Sequence, residues 1–323
     1  MAVIFSTHPL HPAVTERLAA AGDYRVASAP TGAAMLAEGT AAEVLIVRAP
    51  VPPEYFRKAE KLRAALRHGA GLDMIPVEAA TAAGVLVANV PGANAATVAE
   101  HVIFAAIGLL RGFRAMDGDL RSHGWAAGRA HADAGRDLGP RRLGILGFGN
   151  IGRALQRMAD GFGMTVIACT RRPETLPDTV RAVSLDALVA EADVLVLCCP
   201  LTPDTRGAIN AARIARMKPG AILINVSRGP VVDTDALVAA LANGHIGGAA
   251  LDVFDNQPLP PDSPLWAMRN VILTPHMAGI TEDSMLRMGQ TVADEVFRIL
   301  AGRLPQNLCN PAVEARYRAR FPV

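Results

Sequence analysis

The sequence has little of what marks a disulfide scaffold, a metal protein, a nucleic-acid binder or a membrane protein. Four cysteines stand in 323 residues, two of them adjacent at Cys198 and Cys199, with no metal-ligand spacing and no pairing framework, so no metal is expected. Adjacent thiols in an apolar run read as inert core residues. Neither sign of charge dominates. The 32 Lys and Arg face 30 Asp and Glu for a net +2, without a long basic run to track phosphates, and nucleic acid is not an expected partner. Apolar runs such as VIFAAIGLL (102–110) reach about half of a bilayer-crossing length, so no membrane association is expected. The first residues, MAVIFSTHPLHPAV, lack the charged and long apolar regions of an export signal, and the expected location is cytoplasmic. No repeat of fixed period occurs.

What is there is the material of two packed cores. Hydrophobic residues make up 51% and charged residues 19% of the chain, a globular composition, and 323 residues exceed what one core usually serves. Short apolar, β-rich runs alternate with helical stretches, the pattern of parallel sheets covered by helices, so the fold class is α/β. Strands are expected at AVIF (2–5), EVLIV (43–47), AALR (64–67) and VLVAN (85–89). At NVPGANAATVAEH, Pro91 and Gly92 end a strand, and Asn94 or Thr97 can cap one long helix reaching the Gly124 region. A second block opens at LGILGFGNIG (143–152) and continues through the strands MTVIACT, DVLVLCC, AILINVS, GGAALDV and VILT. The helical pattern over 281–302 is expected to return to the first domain. The expectation is two doubly wound parallel-sheet domains, residues 1–97 with 285–323 forming one and residues 98–284 inserted as the other.

Gly147, Gly149 and Gly152 follow an apolar strand and open a helix, the context that a bare G-x-G-x-x-G needs before it signifies a dinucleotide. Without side chains there, backbone N–H groups and the helix N-terminus can meet a pyrophosphate. About twenty residues on, where a carboxylate would hold the ribose 2′-hydroxyl of NAD, the next strand ends in Thr170, Arg171 and Arg172. Two guanidinium groups after a hydroxyl suit a 2′-phosphate, because Arg presents its donors in a fork matched to phosphate oxygens. NADP is therefore the expected cofactor, with NAD as the alternative.

The segments LGILGFGNIGRALQRMADGFGM, CCPLTPDTRGAIN, NVSRGPVVDTDAL, AALDVF and TPHMAG resemble the D-2-hydroxyacid dehydrogenase family in order and spacing. The similarity reaches back to LRHGAGLDMIPVEAA and NAATVAEHVI and so covers nearly the whole chain. It implies a substrate domain closed by the C-terminal helix, a nicotinamide domain hinged against it with the active site in the cleft, and a homodimer.

Arg228 lies just past AILINVS, at the carboxyl end of a parallel strand where ligands of such sheets bind. NVSRGPVVD resembles the family's substrate-binding arginine motif, which implies that Arg228 holds a carboxylate and carbonyl. His276 follows VILT in TPHMAG, again at a strand's carboxyl end, and an imidazole titrates near working pH as a reversible acid/base requires. Pro275 before it and Ala278-Gly279 after it match the family's catalytic motif. By the same resemblance Asp252 accepts from the nicotinamide carboxamide, and Asn150, Ile151, Pro200, Thr205, Val226 and Gly279 join the cofactor site. The resemblance also implies that backbone groups of Ala70 and Gly71 hold the substrate carboxylate, with Arg48 on the same wall. His68, just before Gly69-Ala70-Gly71, is a further candidate for substrate contact.

One position departs from the family pattern. Where relatives place a glutamate that hydrogen-bonds the catalytic histidine, this chain has Gln257. An amide oxygen can accept the imidazole N–H and fix its tautomer, but supplies no negative charge to favour imidazolium. Formate dehydrogenases resemble the chain in having glutamine there. Asp255, two residues earlier, is the other possible partner of His276.

The expected function is NADPH-dependent reduction of a small 2-keto acid to its D-2-hydroxy acid, of the glyoxylate or hydroxypyruvate type. Phosphoglycerate oxidation is the alternative within the family; the paired arginines and the lack of a long C-terminal regulatory region in this sequence argue against it. A nicotinamide-sensing binding protein of the same fold is the alternative from another class, opposed by the retention of Arg228 and His276.

Overall fold

A computed structural model describes residues 1–321. The first five strands are β1 (Val3–Ser6), β2 (Asp23–Val26), β3 (Val44–Val47), β4 (Ala64–Arg67) and β5 (Leu86–Ala88). They alternate with helices α1 (Pro12–Ala19), α2 (Gly32–Glu38), α3 (Tyr55–Lys58) and α4 (Val77–Ala82). The middle of the chain carries α5 (Ala95–Leu110), α6 (Phe113–His123), α7 (Trp125–Arg129), α8 (Asn150–Gly161), α9 (Leu185–Glu191), α10 (Ala211–Arg216) and α11 (Thr234–Ala242). Its strands are β6 (Arg142–Leu146), β7 (Thr165–Cys169), β8 (Val180–Ala182), β9 (Val194–Leu197), β10 (Ala221–Asn225), β11 (Ile246–Leu251) and β12 (Val271–Leu273). Helices α12 (Glu282–Leu300) and α13 (Glu314–Arg320) end the described chain.

The chain forms two compact units, Met1–Asn94 with the segment from Ile280 onward, and Ala95–Gly279. Expected boundaries at 97/98 and 284/285 fall inside α5 and α12, whereas the observed ones lie at or just before the helix starts. A continuous helix packs as one body, so it is not divided between cores.

Unit 1 is a parallel sheet in the order β2-β1-β3-β4-β5. Every residue of β3 is buried, because helices cover both faces of the sheet and leave two apolar clusters, one on Ile4, Val44, Leu66 and Val296 and the other on Phe5, Leu45, Val47 and Phe56. Helix α12 belongs to the first cluster through Val292, Val296 and Ile299, and starts at a capping box formed by Thr281 and Ser284.

Unit 2 is a seven-stranded parallel sheet in the order β12-β11-β10-β9-β6-β7-β8. The chain starts in the middle with β6, runs outward to β8, then crosses back to β9 and runs outward the other way. The reversal lies between β6 and β9, and ligands of open α/β sheets bind at the carboxyl ends of the strands flanking such a point.

Two features differ from the sequence reading. Strands β2 (DYRV) and β8 (VRA) were not anticipated, and both are sheet edges with mostly part-exposed or exposed residues. An edge strand lacks the continuous apolar run that betrays a central one. The single long helix from the Asn94 region to Gly124 is instead broken into α5 and α6, bent by 59° at Gly112, whose φ of +58° is left-handed. Thr97 lies within α5, buried, and does not cap it. Among the described residues no single helix is long and apolar enough to cross a membrane.

Candidate functional site

The three glycines of the first turn of unit 2 have three separate physical reasons. Gly147 has φ +92°, and a Cβ on it would stand 2.7 Å from the backbone of Cys199, so the tight turn and the close approach to the end of β9 both require glycine. At Gly152 a Cβ would stand 2.9 Å from the Gly147 carbonyl, which lets α8 sit close to β6. At Gly149 a Cβ would meet nothing within 4 Å. The space above Gly149 is open, and as the N-cap of α8 it contributes no side-chain cap to the helix's first N–H groups. Asn150 and Ile151 supply the first of those groups. Open space, uncapped N–H groups and a helix N-terminus fit the pyrophosphate of a dinucleotide.

The loop after β7 carries the residues that choose the adenosine ribose. Thr170 is half-buried, and Arg171 and Arg172 are exposed. The Arg172 N–H donates to the Thr170 hydroxyl at 3.4 Å, and the Arg172 carbonyl accepts from Thr175, which holds the loop. Among the described residues neither the Arg171 nor the Arg172 guanidinium has a hydrogen-bond or ion-pair partner, which leaves both forks available to an anion. Past β9, the Thr205 hydroxyl donates to the Pro200 carbonyl at 2.7 Å and closes the 200–205 turn, while Val226 leaves β10 half-buried with its N–H on the Leu197 carbonyl at 3.1 Å. The Cys198 thiol donates to the Gly147 carbonyl at 2.8 Å, and burial pushes its pKa up, so it braces the glycine turn as a neutral thiol.

Arg228 stands half-buried three residues past the end of β10. Its guanidinium donates to the Ser227 carbonyl at 2.6 Å. The turn beneath it is fixed by Asn225, which the sequence reading passed over. Asn225 is 1% exposed, accepts from the Ser227 N–H and donates to the Arg228 carbonyl, both at 3.0 Å. The signal that could have found it is an amide ending an otherwise aliphatic strand, since a buried amide must have partners.

Asp252 and His276 lie at the ends of β11 and β12. The Asp252 carboxylate, 3% exposed, accepts from the Thr274 hydroxyl at 2.6 Å, the Met277 N–H at 2.8 Å and the Ala278 N–H at 3.0 Å. Its own carbonyl accepts from the His276 N–H at 2.8 Å. These bonds hold a turn in which His276 has φ +54°, a left-handed conformation that a side chain rarely adopts, and which ends on Gly279. The residue that the resemblance gives to the nicotinamide is thus also the clamp of the histidine turn. The exposed His276 ring places Nδ1 3.3 Å from the Gln257 amide oxygen, and the Gln257 amide nitrogen donates to the Phe254 carbonyl at 3.4 Å. Asp255 points elsewhere, accepting from the Thr234 hydroxyl at 2.8 Å. On Arg228's other side, a Cβ on Gly229 would stand 2.0 Å from the Phe254 carbonyl carbon, so the arginine turn and the Gln257 loop lie back to back.

In unit 1, Arg48 follows β3, and its guanidinium donates to the Pro9 carbonyl while Thr7 accepts its N–H at 2.8 Å. Ala70 is exposed and Gly71 half-buried in the loop after β4. The loop is braced by Arg67, another residue unremarked in the sequence, which donates to the carbonyls of Gly71 (3.1 Å), Val47 (3.0 Å) and His68 (2.7 Å). His68 is only 3% exposed, its Nε2 is buried without a hydrogen-bond partner, and burial with the neighbouring Arg48 and Arg67 lowers its pKa to about 4. It is a neutral core imidazole with no open surface of its own.

Residues 103–278 match the family described as D-isomer specific 2-hydroxyacid dehydrogenase, NAD binding domain. A D-3-phosphoglycerate dehydrogenase of Methanocaldococcus jannaschii is 36% identical over 316 residues, 96% of this chain and 60% of that protein. The chain therefore spans about three fifths of that relative's length. A glyoxylate reductase of Korarchaeum cryptofilum is 38% identical over 274 residues, 84% of this chain and 82% of that protein. Among solved structures, an NADPH-dependent glyoxylate/hydroxypyruvate reductase of Sinorhizobium meliloti in complex with citrate is similar at a TM-score of 0.86 and 28% identity, covering 97% of this chain and 99% of that one. With its glycine turn, strand-end arginine and clamped histidine on one doubly wound sheet, the chain belongs to the D-isomer specific 2-hydroxyacid dehydrogenases, a family of nicotinamide-dependent oxidoreductases.

Proposed function

We propose that the protein reduces a small 2-keto acid to its D-2-hydroxy acid, with NADP(H) preferred over NAD(H). The observation that carries this reading is the His276 ring held through Nδ1 by Gln257, in the same strand-end cluster as Arg228. An amide oxygen only accepts, so Nδ1 keeps its proton and Nε2 is the atom that gains or gives one. A reduced nicotinamide bound at the glycine turn would supply the hydride. His276 Nε2 delivers a proton to the carbonyl oxygen, and the Arg228 guanidinium binds the carboxylate and polarises the carbonyl.

The cofactor preference is supported by two unpartnered guanidinium groups after β7, where no carboxylate stands, and by the NADPH dependence named for the Sinorhizobium relative. Glyoxylate and hydroxypyruvate are the proposed substrates, supported by the relatives named for them. A homodimer is part of the proposal, supported by the exposed Phe104, Phe113, Leu120 and Trp125 on α5–α7. Sedimentation reads that state.

The test of the function is NADPH oxidation against a panel of 2-keto acids, with binding of NADPH followed separately by its fluorescence. Turnover with glyoxylate or hydroxypyruvate is the expected result. Tight dinucleotide binding with no turnover on any keto acid would replace the reading by that of a nicotinamide sensor, to which the uncharged partner of His276 lends its one argument.

A further inference from the structure

Asn225 ends β10 as an amide buried between β9 and β11 in an otherwise aliphatic strand. Such a group is tolerated when both ends of its dipole are bonded. Here both ends are spent on the turn that follows. Oδ1 accepts from the Ser227 N–H and Nδ2 donates to the Arg228 carbonyl, each at 3.0 Å, so the side chain ties the Val226–Ser227 peptide to the Arg228–Gly229 peptide and brackets residue 228. The Asn225 backbone is itself anchored, since its carbonyl accepts from the Asp252 N–H at 3.1 Å. Beyond Arg228 the chain has no room to shift toward Phe254, which already occupies the space of a Gly229 Cβ.

We propose that Asn225 is the positioning residue of Arg228, its side-chain amide fixing the direction in which the guanidinium leaves the sheet. This rests on the reading of Arg228 as the keto-acid ligand. A planar two-point clamp works only in register with its ligand, and a small swing of its backbone base spoils both contacts together. Asn225 reaches this turn with one acceptor and one donor, and few replacements supply both. Serine can accept from the Ser227 N–H but is too short to donate to the Arg228 carbonyl as well, and aspartate keeps the acceptor while turning a second oxygen on that carbonyl.

The experiment compares Asn225→Ser and Asn225→Asp, each alone and combined with Arg228→Lys. Glyoxylate is the reacting probe and oxalate, bound to the enzyme–NADPH complex, the unreactive one. Each change at 225 is expected to raise KM for glyoxylate and Kd for oxalate by about tenfold or more, with kcat falling less and NADPH affinity held within about twofold. In the Arg228→Lys background the same change should cost less than about twofold, because the guanidinium it positions is gone. Full additivity in the double variants, or losses shared equally by dinucleotide binding, would overturn the proposal and leave Asn225 a strand-end brace. Impaired Arg228→Lys with unimpaired Asn225 variants sinks the positioning role alone. Unimpaired Arg228→Lys sinks the reading of Arg228 itself, and the positioning role with it. Should the buried aspartate prevent folding, the neutral, smaller Asn225→Ser carries the comparison, with its thermal midpoint measured beside the kinetics.

Discussion

The Nδ1 atom of His276 lies 3.3 Å from the amide oxygen of Gln257, while the other end of that amide is tied to the Phe254 carbonyl. The histidine therefore has a fixed tautomer without a neighbouring negative charge at this bond. A glutamate in the same place would hold the same tautomer and also stabilise the imidazolium.

Gln257→Glu is accordingly expected to extend the reductive limb of the kcat/KM profile upward by about one to three pH units. The sign follows from the reaction: reduction needs the protonated ring, and a carboxylate raises the pH at which the ring gives its proton up. The profile for one good keto acid, measured in parent and variant, checks it. Coincident profiles would mean that residue 257 does not govern His276.

Replacing Arg171 and Arg172 together by alanine should weaken NADPH and leave NADH nearly untouched. Charge-assisted hydrogen bonds to a phosphate contribute about 1.5 to 3 kcal/mol each, so Kd for NADPH should rise by about tenfold or more. Titrations of both dinucleotides decide it, and equal loss of the two would mean that these side chains do not meet the 2′-phosphate.

Asp252→Asn keeps one acceptor and points an amide N–H₂ either at the Met277 N–H and Thr274 hydroxyl, which share Oδ1, or at the Ala278 N–H on Oδ2. The left-handed turn at His276 loses part of its clamp. Stability should fall by about 1 to 3 kcal/mol, and kcat should fall further than that loss explains, by about tenfold or more. Denaturant midpoints and kcat measured on the same preparation separate the two effects. An unchanged kcat in a destabilised variant would show the clamp to be irrelevant to the histidine.

His68 makes the fold sensitive to acid. Its folded pKa is lowered from 6.5 to about 4, first by burial and then by Arg48 and Arg67. Between about pH 4 and 6.5 the unfolded chain binds this proton and the folded chain does not, so stability rises with pH across that window and is fully present above it. At about 1.4 kcal/mol per unit the span is on the order of 3 kcal/mol. His8 and His101, both lowered chiefly by burial, act in the same direction. His68→Leu should flatten the slope of unfolding free energy against pH between 4 and 6.5. A slope equal to that of the parent would show that His68 carries its proton in the folded state.

The class of fold, the central strands and the chemistry-bearing motifs are legible in the amino-acid order alone. Central strands of a sheet covered on both faces must be apolar at every position, so VLIV and VLVL announce themselves, and the glycine turn is dictated by local sterics at Gly147 and Gly152. Strands β2 and β8 stayed hidden because an edge pairs on one side only and tolerates Asp23, Arg25 and Arg181. The break at Gly112 was not legible either, since an apolar helical period continues across a glycine whether or not its φ is positive. Which partner each functional side chain has depends on packing between distant segments. Asp255 and Gln257 are two residues apart and chemically able to bond the same imidazole, yet the backbone turns one toward Thr234 and the other toward His276. Arg67 likewise carries no sequence mark of its task, and the amide ending β10 at Asn225 marks only that partners are needed and not which ones, because a bracing hydrogen bond is a relation between segments brought together by packing, and its partners are backbone groups that every residue possesses.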